Sequence, residues 1–136
     1  MAPVSMRVGQ TRVLLADTQP HVRSALRILM NLETGFVIVG EAVEAGDMLA
    51  QICFTRPDLV LLDWGLPGLP AIGSIPAVRA LVPDLKIIVL SSHMEARYEA
   101  LAAGADVFIS KVDPPDQLLA ALRAINLRIK GSLTIP

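Results

Sequence analysis

Between Asp58 and Asp63 lies Leu59-Val60-Leu61-Leu62, a run of leucine and valine with no charge in it. Pro57 bounds it on one side, and Gly65, Pro67 and Gly68 punctuate the other. A strand apolar at every position has no face for water, so it belongs in a parallel sheet covered by helices on both sides. Asp63 closes the run, at the strand end where open α/β sheets place their ligand crevice. Taken alone, Asp63 reads equally well as a turn residue or a helix cap.

The flanking chain repeats the pattern. Arg12 to Ala16 is an aliphatic run ending on Asp17, and Pro20 suits the first turn of a helix. From His21, Val22, Ala25, Leu26, Leu29, Met30 and Leu32 recur at helical spacing, with Arg23 and Arg27 on the other face and Gly35 as a stop. Phe36–Gly40 reads as a strand, and Ala45–Phe54 as a helix that turns Met48, Leu49, Ile52 and Cys53 inward. Pro70, Gly73 and Pro76 oppose a long helix, so irregular chain to Ser74 and a short helix through Leu81, capped by Ser74, are expected. Leu85–Leu90 is a strand ending on Ser91-Ser92-His93, Glu95–Ala103 a helix stopped by Gly104, and Val107–Ser110 a strand ending on Lys111. Asp113-Pro114-Pro115 opens a last helix with Leu118, Leu119, Leu122 and Ile125 on its core face.

Strict alternation with short connections predicts a doubly wound α/β fold: a five-stranded parallel sheet, flavodoxin-like, in the order 2-1-3-4-5. The 136 residues fit one domain. The reading places it at 11–126, with a disordered start over 1–10 and the beginning of a linker to an output domain over 127–136. A net charge of −1 gives no electrostatic case for nucleic-acid binding by this segment. The lone Cys53 excludes an internal disulfide and reads as a buried, inert thiol in a reducing compartment. Met1–Arg7 has no apolar core for a signal peptide, and Gly and Pro interrupt the longest charge-free stretch, Trp64–Val78. A cytoplasmic protein is expected.

In a parallel sheet the ends carrying Asp17, Asp63, Ser91 and Lys111 share one edge. Each has an ordinary explanation by itself, as turn residue, cap or solvated strand end; their coincidence argues for a site. A carboxylate there can attack a phosphoryl group and hold it as an acyl phosphate. A divalent cation such as Mg2+ neutralises the charge between carboxylate and phosphoryl oxygens, a lysine pairs with either, and a hydroxyl donates to the phosphoryl group.

Four stretches in order, Val13–Pro20, Pro57–Gly68, Ile88–His93 and Ala103–Lys111, resemble the response-regulator receiver domain, and the likeness extends from Arg12 to Ile125. Within that family the chain looks most like the NarL/FixJ branch, whose members carry a C-terminal helix-turn-helix. The resemblance implies that Asp63 accepts a phosphoryl group from a sensor histidine kinase, that Asp17, Asp63 and the Gly65 carbonyl hold Mg2+, and that Ser91 is the switch hydroxyl. It implies that Phe108 is the aromatic whose rotamer follows Ser91, and that Lys111 is the family's site lysine. Output would pass through the fourth helix, fifth strand and fifth helix, by homodimerisation or by domain contacts, with DNA bound only by a domain outside this chain.

Three departures stand out. Thr18 occupies the place of a second acid that is normally a metal ligand, which removes one formal charge from the Mg2+ site. Pro70–Pro76 is free of charge where the family has an acidic helix-forming segment; a longer loop, or an exposed apolar patch that docks a partner, would follow. Val112 follows Lys111 where many receivers have proline. Thr18 supports a second reading, a pseudo-receiver that works as a protein–protein module without phosphorylation. An aspartyl-phosphate hydrolase is disfavoured because Gly65 stands where such enzymes have a second acid, and dinucleotide binding because no glycine-rich loop follows the first strand.

Overall fold

The computed structural model describes residues 9–133. Its elements are β1 (Thr11–Ala16), α1 (Pro20–Leu32), β2 (Phe36–Ala42), α2 (Ala45–Thr55), β3 (Leu59–Asp63), α3 (Ser74–Leu81), β4 (Lys86–Ser91), α4 (Arg97–Ala103), β5 (Val107–Ser110) and α5 (Pro115–Leu133). The strands form one five-stranded parallel sheet in the order β2-β1-β3-β4-β5, as the alternation predicts. Central β3 is buried at all five positions, which is the physical reason for its uninterrupted Leu/Val composition.

Side chains alternate across the sheet and build two cores. Val60, Leu62 and Val89 pack on the side of α2, α3 and α4, with Met48, Ile52 and Ile75. Leu59, Leu61 and Leu90 pack on the side of α1 and α5, with Leu26, Met30 and Leu122. Among the described residues no helix is long and apolar enough to cross a membrane.

Several local expectations are corrected. Cys53 is exposed, and Phe54 beside it is 89% exposed. Successive helical residues are 100° apart, so with Met48 and Ile52 fixed inward the next residue turns outward. Leu32, in the final turn of α1, is 76% exposed because Leu26 and Met30 take the core face. Ser74 does not cap α3. Gly73 holds the cap position at φ 96°, and Ser74 is the first helical residue, itself at φ 58°. The fourth helix starts later than Glu95, because Met94–Ala96 forms a 3-10 turn before α4.

At the other end, α5 continues through Leu133, so 127–133, read above as the start of a linker, are helical. Ile129 repeats the spacing of Ile125 and packs against the same core. The expected disorder falls mostly on residues 1–8, which lie outside the described residues, as do 134–136. The Pro70–Pro76 segment forms the loop that leads into α3, with Ile75 buried and Pro70, Ala71, Gly73 and Pro76 exposed. The Lys111–Val112 bond is trans.

Gly104 ends α4 at φ 116°, and an added Cβ would sit 3.3 Å from Ile75 Cγ2. Gly104→Ala should therefore cost roughly 1–3 kcal/mol in urea unfolding, from left-handed backbone strain together with a tight contact. An unchanged midpoint would mean that the α4–β5 turn relaxes freely.

Candidate functional site

Three strand ends bring charged groups into contact. Past β1, the Asp17 N–H still donates to Ala42 O (3.0 Å), which keeps the residue at the sheet edge. Its side chain is 1% exposed, and Oδ1 accepts from Gln19 N–H at 2.9 Å, an Asx-type turn that aims the carboxylate. Register pairs Ala16 with Leu62, so Asp17 and Asp63 are each the next residue on neighbouring strands. Asp63 repeats the turn, its Oδ1 accepting from Gly65 N–H at 2.9 Å, while Trp64 N–H donates to Leu90 O at 2.9 Å. From β5, Lys111 N–H donates to Ser91 O (2.8 Å) and the side chain reaches back along the edge. Lys111 Nζ lies 2.8 Å from Asp17 Oδ2 and 3.3 Å from Asp63 Oδ1.

One ammonium thus faces two largely buried carboxylates. The 2.8 Å approach to Asp17 Oδ2 is an ion pair by distance, but the atom accepts no aligned hydrogen bond although it is fully buried. Lone-pair capacity without an aligned donor, beside a second carboxylate, is a donor set that suits a hard cation such as Mg2+. Among the described residues no group of three or more His, Cys, Asp or Glu side chains is arranged to hold a metal. Thr18 is exposed and neutral, so the carboxylates in contact with Lys111 at this edge are those of Asp17 and Asp63.

The remaining expected residues sit nearby in different roles. Ser91 is buried, and its Oγ accepts from His93 N–H at 3.0 Å and lies 3.4 Å from His93 O. Phe108 is 5% exposed and packs in the core on the α2–α4 side. Gly65 touches the site through its backbone. His93 is exposed, with Nδ1 3.8 Å from Glu95 Oε1.

Two networks around the site escaped the sequence reading. Arg23 Nη1 donates to the Asp17 carbonyl at 2.7 Å while its Nε meets Glu41 Oε1 at 2.8 Å. Arg27 binds the other Glu41 oxygen, with Nε at 3.0 Å. The Glu41 carboxyl is held below the usual carboxylate range, chiefly by the Arg27 hydrogen bond, with burial opposing and Arg23 adding to it. On the other flank, Trp64 Nε1 donates to Glu99 of α4 at 3.2 Å. Glu41 falls just beyond the predicted end of β2, so nothing local marked it as a partner.

Residues 13–123 match the family profile described as a response regulator receiver domain. The transcriptional regulatory protein YxjL of Bacillus subtilis is 33% identical over 121 residues, 88% of this chain and 56% of that protein. The response regulator UvrY of Escherichia coli is 32% identical over 83% of this chain and 53% of its own length. This chain therefore spans about half the length of the curated relatives it matches. A two-component response regulator of the LuxR family from Aurantimonas superposes with a TM-score of 0.79 at 30% identity, covering 87% of this chain and 86% of that one. The signal receiver domain of a response regulator, NarL, from Mycobacterium tuberculosis gives 0.77 at 27% identity, covering 86% and 96%. With sheet order, strand-end acids, site lysine and sequence in agreement, the chain belongs to the response regulator receiver domain family.

Proposed function

We propose that Asp63 accepts a phosphoryl group from a phosphohistidine on a sensor histidine kinase, and that the acyl phosphate switches the output of a longer transcription regulator. In this reading an Asp63 carboxylate oxygen forms the new P–O bond as the P–N bond to the histidine breaks, and the imidazole leaves with its electron pair. The observation that carries the reading is Lys111 Nζ placed at 2.8 and 3.3 Å from two buried acids on the sheet's C-terminal edge.

Asp17, Asp63 and the Gly65 carbonyl would hold Mg2+, to which Thr18 adds at most a neutral hydroxyl. When bound, Mg2+ supplies charge neutralisation between the attacking carboxylate and the phosphoryl oxygens. Lys111 is released from part of its pairing with Asp63 to meet a phosphoryl oxygen as a point charge. Ser91 leaves His93 to donate its hydroxyl to the phosphoryl group, and Phe108 follows into the space vacated. The α4–β5–α5 surface then changes, and homodimerisation or contact with an output domain that binds DNA follows. The test is Mg2+-dependent binding of beryllofluoride, a phosphoryl mimic, read by the shift of α4 and β5 amide resonances. Saturable binding at the Asp63 edge is expected, and its absence would overturn the reading.

Exposed Thr18 and the lack, among the described residues, of a third acid at the site favour one other reading, a pseudo-receiver that binds partners without phosphorylation. The two diverge on the native chain, and Thr18→Asp measures what the neutral residue costs. For a working phosphoacceptor, the added charge should tighten Mg2+ by about tenfold, the size of one further ion interaction at a partly exposed site. Fluorescence of Trp64, the only tryptophan, reads the titration from the position next to Asp63. A pseudo-receiver gives no Mg2+ or beryllofluoride response in the native chain, even if Thr18→Asp restores one.

A further inference from the structure

We infer that Arg23 is a positioning residue for the cation site, holding the β1–α1 turn so that Asp17 presents a fixed carboxylate. The inference rests on the phosphoacceptor reading and adds a residue to it. Backbone bonds close the turn itself, with Gln19 N–H donating to Asp17 Oδ1 at 2.9 Å and Gln19 O accepting from Val22 and Arg23 N–H. Gln19 at the N-cap of α1 makes no side-chain capping bond, and Thr18, Gln19 and Pro20 are exposed. Arg23 adds a side-chain tie to these, with Nη1 on the Asp17 carbonyl at 2.7 Å.

The guanidinium is itself immobilised. Its side chain is only 15% exposed, and Nε is held by Glu41 at 2.8 Å, a carboxylate that Arg27 pins through its second oxygen. A planar fork with donors on two edges can bind a carbonyl and a carboxylate at once, which a lysine ammonium on one flexible stem does less well. The chain Glu41–Arg23–Asp17 therefore runs from the sheet, through α1, to the residue carrying the unaligned Oδ2. Its importance follows from Thr18. With a second acid in the turn, a small displacement of Asp17 is shared between two ligands. Here the carboxylate donors are Asp17 and Asp63, and an error in Asp17 is not compensated.

The experiment measures Mg2+ affinity of the full chain by Trp64 fluorescence and by the Mg2+-dependent rise of the thermal midpoint. Arg23→Gln should weaken Mg2+ roughly tenfold, the lower end of what loss of a ligand-orienting partner costs. Arg23→Lys should recover only part of that loss. Arg123→Gln, which breaks the distant Glu33–Arg123 pair between α1 and α5, is the control for a purely structural effect and should leave Mg2+ affinity as in the native chain. If Arg23→Gln does not fold, Glu41→Gln removes the anchor while keeping the arginine and should weaken Mg2+ in the same direction. Native affinity in a folded Arg23→Gln chain, or equal losses in Arg23→Gln and Arg123→Gln, overturns the inference alone. A native chain that responds neither to Mg2+ nor to beryllofluoride overturns the phosphoacceptor reading, and this inference with it.

Discussion

Asp63→Asn should leave the chain folded and abolish phosphoryl incorporation from acetyl phosphate, with beryllofluoride binding lost at the same time. The amide matches the carboxylate in shape, and its oxygen can keep the Gly65 N–H that Asp63 Oδ1 accepts at 2.9 Å. Lys111 retains its 2.8 Å partner in Asp17, so no buried ammonium is left without a counter-charge. The nucleophile is what disappears: a neutral amide offers no anionic oxygen to phosphorus and contributes no charge to a cation. Intact-mass spectrometry after incubation with acetyl phosphate and Mg2+ reads the result directly. Incorporation at the native rate would move the acceptor to another residue and remove the role proposed for this strand end. A folded variant that accepts no phosphoryl group, beside a native chain that does, is the expected pair.

The sheet was legible because a parallel sheet dictates composition. Only a strand covered on both faces tolerates Leu59-Val60-Leu61-Leu62 without a polar break, and its polar residues then collect at the ends. Asp17, Asp63 and Lys111 were therefore findable as a set before any distance was known, and Lys111 Nζ lies within 3.3 Å of both acids. Side-chain state at the site was less legible. That Ser91 Oγ is engaged with the His93 backbone, and that Phe108 lies in the core, depends on which of several rotamers the packing favours.

Helix phase was legible only approximately. Ile52-Cys53-Phe54 is a continuous apolar run, so periodicity does not say which residue faces the sheet, and a one-residue error rotates a side chain by 100°. Cys53 went outward for that reason. The Arg23–Glu41 and Trp64–Glu99 contacts join residues 18 and 35 apart in sequence, and neither spacing carries a local pattern. Helix boundaries were hidden by the same locality. Nothing in Met94-Glu95-Ala96 separates a 3-10 turn from a first helical turn, and the extension of α5 depends on Ile129 finding core to pack against.

Lys111→Met should destabilise the fold by about 3–5 kcal/mol, because it removes the counter-charge from two carboxylates in a shared pocket. Asp17 is 1% exposed and Asp63 7%, so neither can recover full hydration without opening the strand ends. Methionine keeps most of the apolar stem, which confines the change to the missing ammonium. Mg2+ should then recover more stability in the variant than in the native chain, since the cation no longer competes with Nζ for Asp17 Oδ2 and stabilises only the folded state. Urea unfolding of both chains, with and without saturating Mg2+, measures the two differences together. A variant as stable as the native chain and indifferent to Mg2+ would mean that the three groups do not share a pocket in solution. A loss that Mg2+ partly reverses would tie the ammonium and the cation to the same oxygens, which is the arrangement that the proposed phosphoryl transfer requires.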